Sequence, residues 1–436
     1  MRRKLLLLTA SIILLSACSN EEPVVKYNAI QVTSHNDLGE YFADVPTFVV
    51  IRAQVFEKIY SIFWNFDDGG ASDQPDLYYS FTEGNRKISV NAFTNQRHVI
   101  EDTTINVVRG PLLLPEEGLG LGVFEDHQNG YGFLYKTNEA FYITHLGSNF
   151  EIVQSQKIDQ TSGEDLFELY TEDGQIALIQ GSRLKLFNSL GQKTLEPNLG
   201  ATRLIRSGGI IDNLATLLYD SNDFVLSKKI NLITKATSTS KNDARISGFG
   251  IRNIFYLNDA VYACYYTKAL HSPEHELLVV YDFNGNQVFS GEYSNELYLR
   301  NLSNIGNSFL VTSQKLGNNV TLTMLDSNGS VLWSKDYRTK KFVDFAPYYH
   351  KNKVIESNGF LFLFFDNMRC IKIDSANGDV VWDRSYDLPH SQWENTILTK
   401  KGNFLMAGTR AGKFEPEIEG GPILIEITRD GQRIQH

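Results

Sequence analysis

The sequence predicts an all-β protein in two parts: a β-sandwich over residues 28–109, then a β-propeller of about seven four-stranded blades over 110–436. Three observations carry that reading. Alternating apolar and polar residues recur through the chain, broken by Gly, Asn and Asp. No long amphipathic helical pattern follows the first apolar run. A strand–turn–strand unit centred on Asn-Gly or Asp-Gly repeats at roughly the 40–50-residue spacing of propeller blades.

The first seventeen residues are a targeting segment. Arg2-Arg3-Lys4 precede an apolar run from Leu5 to Leu15. The run falls short of the roughly 20 residues that a spanning helix needs, so the pattern is a secretory signal. It ends in Leu15-Ser16-Ala17-Cys18, which resembles the lipobox of bacterial lipoproteins. That resemblance implies a diacylglyceryl group on the Cys18 thiol, cleavage before Cys18 and a protein anchored to the outer membrane. Residues 18–27 then form a tether, and Ser19-Asn20-Glu21-Glu22 resembles the surface-export signal of Bacteroidetes lipoproteins, which implies a cell-surface location.

The formal charge is −10, and it falls to −13 once Arg2, Arg3 and Lys4 leave with the signal. An acidic chain of this kind is not built for nucleic acid or for a basic membrane-docking face. Only three cysteines are present in 436 residues. Cys264 and Cys370 lie in strand-like runs and read as buried free thiols rather than a bridge.

In the 28–109 region, Ile62-Phe63-Trp64-Asn65-Phe66 alternates and leads into Asp67-Asp68-Gly69-Gly70, a turn sequence. Phe81, Gly84, Ile88 and Val90 mark the second half. These residues resemble the PKD domain, an immunoglobulin-like sandwich. That likeness implies that Trp64 is a core residue. Asp67 stands where the family has a glycine, and Gly takes positive φ more readily than Asp. Asp67 and Asp68 are the candidate metal ligands, because paired carboxylates suit Ca²⁺; the competing reading makes them turn-forming residues, since no third acidic ligand is fixed nearby.

In the 110–436 region, the clear copies run from Val280 to Phe289, Met324 to Trp333, Ile371 to Trp382 and Ile425 to Ile434. Weaker copies run from Tyr142 to Val153, Leu184 to Leu195 and Tyr219 to Ser227. Such units cannot bury both faces alone, so a closed ring must supply the core. The Trp-ended copies resemble the repeat of quinoprotein-like propellers, a family with a dehydrogenase branch and a lipoprotein scaffold branch in outer-membrane assembly. Asn403 to Thr409 and Gly420 to Ile425 resemble repeats of secreted Bacteroidetes propellers.

Chemistry is sparse. No Gly-x-Ser-x-Gly elbow, Walker loop or dinucleotide fingerprint occurs. His271 and His275 flank Pro273 in a hairpin-like segment, so their spacing does not supply a zinc site. No catalytic residue and no cofactor is assigned. Tyr348, Tyr349, His350 and Trp393 fall in aromatic-rich loop sequences and are the candidate ligand-binding residues, since aromatic rings stack on sugars and peptides; packing between blades is the competing reading. The sequence thus predicts a lipid-anchored, non-catalytic binding or scaffold protein with a protein or glycan partner. A propeller-type polysaccharide hydrolase or lyase is the first alternative, and a component of an outer-membrane export or assembly complex is the second.

Overall fold

The computed structural model describes residues 29–434 except 34–38, 44–45, 53–56, 111, 115–117, 126–129, 161–165, 171–175, 181–182, 197–204, 212–213, 221–223, 248, 269–275, 294–296, 316–318, 339–352, 366–367, 387–390 and 411–420. The described residues are all strand, turn and loop, with no helix among them. Cys18, His271, His275, Tyr348, Tyr349 and His350 lie outside the described residues. The chain divides into two compact units. One takes the described parts of Met1–Ser34 and Tyr41–Val108, the other those of His35–Glu40 and Arg109–His436.

The first unit has two sheets. Ile30–Val32, Pro46–Ile51 and Asp76–Ser80 form the smaller; Tyr41–Phe42, His98–Val108, Gly84–Thr94, Ile59–Phe66 and Ala71–Ser72 form the larger, in that order. Inward residues of both meet in one core, with Val49 and Ile51 from the first and Trp64, Phe66, Ile88, Val90 and Ile105 from the second. Alternation explains the layering, since every second side chain of a strand points the same way. Trp64 is 0% exposed, and its indole Nε1 donates to the Gln74 carbonyl at 2.8 Å, so its one polar atom is satisfied inside the core.

The second unit is a propeller. Among the described residues seven sheets follow one another, spanning 119–160, 166–195, 205–243, 249–293, 297–338, 353–385 and 391–434. Each runs strand by strand in antiparallel order, and the last gains Leu112–Leu113 beside Gly421–Ile427. Apolar clusters join each sheet to the next. A final cluster joins the last sheet to the first through Leu405, Ala407 and Leu424 against Val123, Phe133 and Tyr135. The ring is therefore closed by side-chain packing. A backbone-to-side-chain hydrogen bond crosses the same seam, where Gly120 N donates to Thr409 Oγ1 at 2.8 Å, and a Cβ on Gly120 would sit 2.3 Å from the Gly408 carbonyl oxygen.

The Asn/Asp-Gly repeat is the hairpin between third and fourth strands. Gly285, Gly329, Gly378 and Gly431 occupy these turns with φ of 87°, 84°, 75° and 72°, a region open to glycine and costly for most residues. Asp282 and Asp326 accept backbone N–H bonds from two and four residues on, the local bonding that makes Asp a turn former. One sequence assignment is corrected. In the third sheet the equivalent turn lies at 231–236, not within Tyr219 to Ser227, which spans the preceding hairpin. Lys235, at φ 62°, takes the place of a glycine there, so the turn lacks the expected signature.

Candidate functional site

The metal-ligand candidates serve the turn of the first unit. Asp67 Oδ2 accepts the Lys87 amide at 2.9 Å. Asp68 Oδ1 accepts the Tyr79 hydroxyl at 2.7 Å and its Oδ2 the Thr82 amide at 3.2 Å. Burial, and then the Asp68 carboxylate, push the Tyr79 phenol up to about 12. Among the described residues no group of three or more His, Cys, Asp or Glu is placed to hold a metal ion. Asp67 is absent from the residues at positive φ, so the departure from the family glycine leaves that backbone in ordinary geometry.

Trp393 is a correction. It is the third residue of the strand Ser391–Leu398 rather than part of a loop, and it is 2% exposed. Its ring packs with Phe364 of the preceding sheet, and its Nε1 donates to Thr396 Oγ1 at 2.7 Å. Trp393 thus belongs to the packing between the last two sheets.

The feature that sequence reading missed lies on the innermost strands. First strands of successive sheets touch: 166–170 lies against 205–211, 205–211 against 249–256, 297–305 against 353–357, 353–357 against 391–398, and 391–398 against 119–125. They therefore converge around the axis of the ring. Five of them carry a one-residue bulge against their second strand. The register skips between Gly120 and Gly122, Ile205 and Ser207, Ile251 and Asn253, Leu299 and Asn301, and Trp393 and Asn395. The inserted residues are Leu121, Arg206, Arg252, Arg300 and Glu394.

These five positions share one level of the ring. The residues after the bulge pair with Leu134, Leu218, Tyr265, Thr312 and Ala407, near the ends of the five second strands. The bulge is fixed locally by asparagine. Asn253, Asn301 and Asn395 each accept the amide of the next residue on Oδ1, at 2.9, 2.8 and 2.7 Å. The recurring pair, Arg252-Asn253, Arg300-Asn301 and Glu394-Asn395, is the sequence signal that could have found it. The Asn/Asp-Gly hairpins lie at the other end of the sheets. A bulge re-aims side chains and interrupts pairing, and it commonly borders a functional site.

A rim hollow of about 350 Å³ is lined by Lys193, Thr194, Leu195, Glu196 and Lys235. Lys193 and Glu196 pair with each other across it, which offers a ligand little uncommitted charge. In the first unit Phe93 stacks on His98 at 3.9 Å on an exposed sheet face that also carries Phe63 and Ile100.

No protein family matches this chain, and no curated protein does. Solved structures with similar folds include the Pan2 WD40 domain of Neurospora crassa, with 8% identity and a TM-score of 0.47 over 75% of this chain and 96% of that one. A quinoprotein alcohol dehydrogenase-like protein of Bacteroides thetaiotaomicron has 10% identity and a TM-score of 0.43, covering 91% of this chain and 92% of its own. BamB of Moraxella catarrhalis has 10% identity and a TM-score of 0.39, covering 79% and 92%. At such identities none assigns an activity to this chain, and the propeller rests on the chain's own sheet order and closure.

Proposed function

We propose that this chain is a lipid-anchored, non-catalytic binding protein of the outer membrane, in which a seven-bladed ring binds a glycan or protein partner at its axial mouth. Cys18 is the anchor, the acidic tether follows it, and the immunoglobulin-like PKD unit is the spacer that precedes the ring in chain order. The observation that carries the reading is the shared bulge level. Five innermost strands from different sheets bring residues to one height around the axis, each held by a closed and densely packed scaffold. A site on rigid strands needs little reorganisation to bind.

The test is to incubate purified protein with envelope polysaccharides and with solubilised envelope proteins, and to measure binding and turnover together. Saturable binding without product is the expected result. Cleavage of a polysaccharide, lost on substitution of Glu394, would replace this reading with the hydrolase or lyase one. Retention only of outer-membrane assembly proteins would favour the scaffold role.

A further inference from the structure

The larger sheet of the first unit breaks the pattern that its own alternation sets. Trp64 and Phe66, Ile88 and Val90, and Ile105 and Val107 turn inward from its three long strands into the core. The outer side of such a sheet is ordinarily polar. Here Phe63, Phe93 and Ile100 turn outward and are 55%, 50% and 72% exposed.

Register makes them one patch. Phe63 stands opposite Asn91, and Asn91 opposite Ile100, in one row across the three strands. Ser61, Phe93 and His98 form the next row. The imidazole of His98 stacks on Phe93 at 3.9 Å, and its Nε2 donates to Asn91 Oδ1 at 2.8 Å. Apolar groups thus surround one amide. The short outer strands leave this end open, since Ala71–Ser72 pairs only with Trp64 and Asn65, and Tyr41–Phe42 only with Val107 and Val108. Exposed apolar residues standing singly are ordinary, but a contiguous group marks a contact.

Charge indicates the partner. Beyond the patch, the outward residues of these strands carry one ion pair, Lys87 with Asp102 at 2.7 Å, and otherwise Asn65, Asn85, Ser89, Thr104 and Asn106. The face is therefore neutral in a chain of net charge −10. It offers little to a strongly charged partner, and it does not repel a copy of itself.

We propose that this face pairs two copies of the chain, sheet on sheet. A two-fold axis crossing the strands at the Asn91 row sets Phe63 on Phe63 and Ile100 on Ile100 of the second copy. It also sets amide on amide, and an amide can both donate and accept. Each Lys87–Asp102 pair stays away from its counterpart, so like charges do not meet. Tyr60, bulged at the open end and 66% exposed, falls within the span. Five rows centred on the axis, over three strands, amount to about 500 Å² per copy by strand spacing and rise. The pair then buries about 1,000 Å², the lower bound of a specific interface, which predicts a weak and reversible dimer. The pairing does not rest on what the ring binds, and it gives a multivalent partner two rings to engage.

The experiment follows sedimentation equilibrium of the full chain carrying Cys18→Ser, which removes lipid as a cause of association. Between about 1 and 100 µM the chain shows a reversible monomer–dimer equilibrium with a micromolar dissociation constant. Phe63→Ser weakens it at least about tenfold. Ile100→Lys and Ile100→Asp chains are each monomeric alone and pair when mixed, because the axis sets position 100 on itself and opposite charges then meet. Val331→Lys, at a comparably exposed apolar residue of the second unit, leaves dimerisation unchanged. Melting temperatures measured on dilute protein stay unchanged in all four variants, because the side chains are exposed. A chain that is monomeric at every concentration overturns the proposal. So does a dimer indifferent to Phe63→Ser and Ile100→Lys, and so do position-100 variants that fail to pair when mixed. A monomer that binds a glycan or an envelope protein, and loses that binding in Phe63→Ser, also overturns it and gives the face to that ligand.

Discussion

The indole of Trp333, on the fourth strand of one sheet, lies against Gly378 in the turn of the next and donates to the Ser375 carbonyl at 2.9 Å. Tyr337 of the same strand donates to the Gly378 carbonyl at 2.6 Å. The device recurs around the ring. Phe289 lies on Gly329, and Tyr386 donates to the Gly431 carbonyl at 3.0 Å. The repeat glycine thus does two things: it takes a positive φ, and it leaves room for the preceding sheet. A Cβ on Gly378 would sit 2.7 Å from the Trp333 ring. Gly378→Ala should therefore destabilise the propeller by roughly 1–3 kcal/mol, and Trp333→Ala by roughly 3–5 kcal/mol. Urea unfolding of the two single variants and the double variant checks both values. Strict additivity in the double variant would contradict the contact.

Ring closure predicts a second sensitive glycine. Gly120→Ala would bring a Cβ to 2.3 Å from the Gly408 backbone oxygen, and no side-chain rotation relieves a clash with backbone. The first and last sheets should separate before the rest of the ring. Hydrogen exchange should then rise first in 119–125 and 404–410. Uniform protection around the ring in that variant would contradict the closure.

The thiols of Cys264 and Cys370 are buried, and neither is in a disulfide. Burial, and then the nearby Asp383 carboxylate, hold the Cys370 thiol well above its ordinary range, so it is neither ionised nor reachable. Neither thiol should react with a maleimide in the folded protein at pH 8, and both should react in denaturant. Fast labelling of Cys370 in the folded state would contradict its placement.

Buried tyrosines give a pH dependence with a definite sign. Burial pushes the Tyr79, Tyr131, Tyr219 and Tyr256 phenols up to about 12, and carboxylates near Tyr79, Tyr131 and Tyr256 add to it. Folding favours the protonated phenol. The stability this contributes is complete below the unfolded value near 10 and is lost as pH rises through about 12. Absorbance at 295 nm should show a late set of tyrosines ionising together with loss of circular dichroism. All 21 tyrosines ionising near pH 10 in a folded protein would contradict it.

The sequence made the all-β class, the turn glycines and the Trp64 core legible, because each rests on a local rule: alternation, positive φ or a strand-borne aromatic. It missed features that depend on the ring. Phe150 and Lys235 hold left-handed turn positions without glycine, at φ 65° and 62°, so two copies looked degenerate. Trp393 follows Pro389-His390 and reads like a loop, yet its strand starts at Ser391. The bulge residues carry no strand-like alternation of their own. Only the packing of first strands around an axis makes Arg206, Arg252 and Arg300 neighbours in level.

The claim at the centre of this account is that Cys18 holds a ligand-binding ring at a membrane. The most direct measurement follows protein and bound ligand together through membrane fractionation of cells carrying the natural chain or Cys18→Ser. The natural chain should sediment with membranes and bring its ligand with it. The variant should move to the soluble fraction with unchanged melting temperature and unchanged ligand affinity. A Cys18→Ser protein that stays with the membranes would contradict the account.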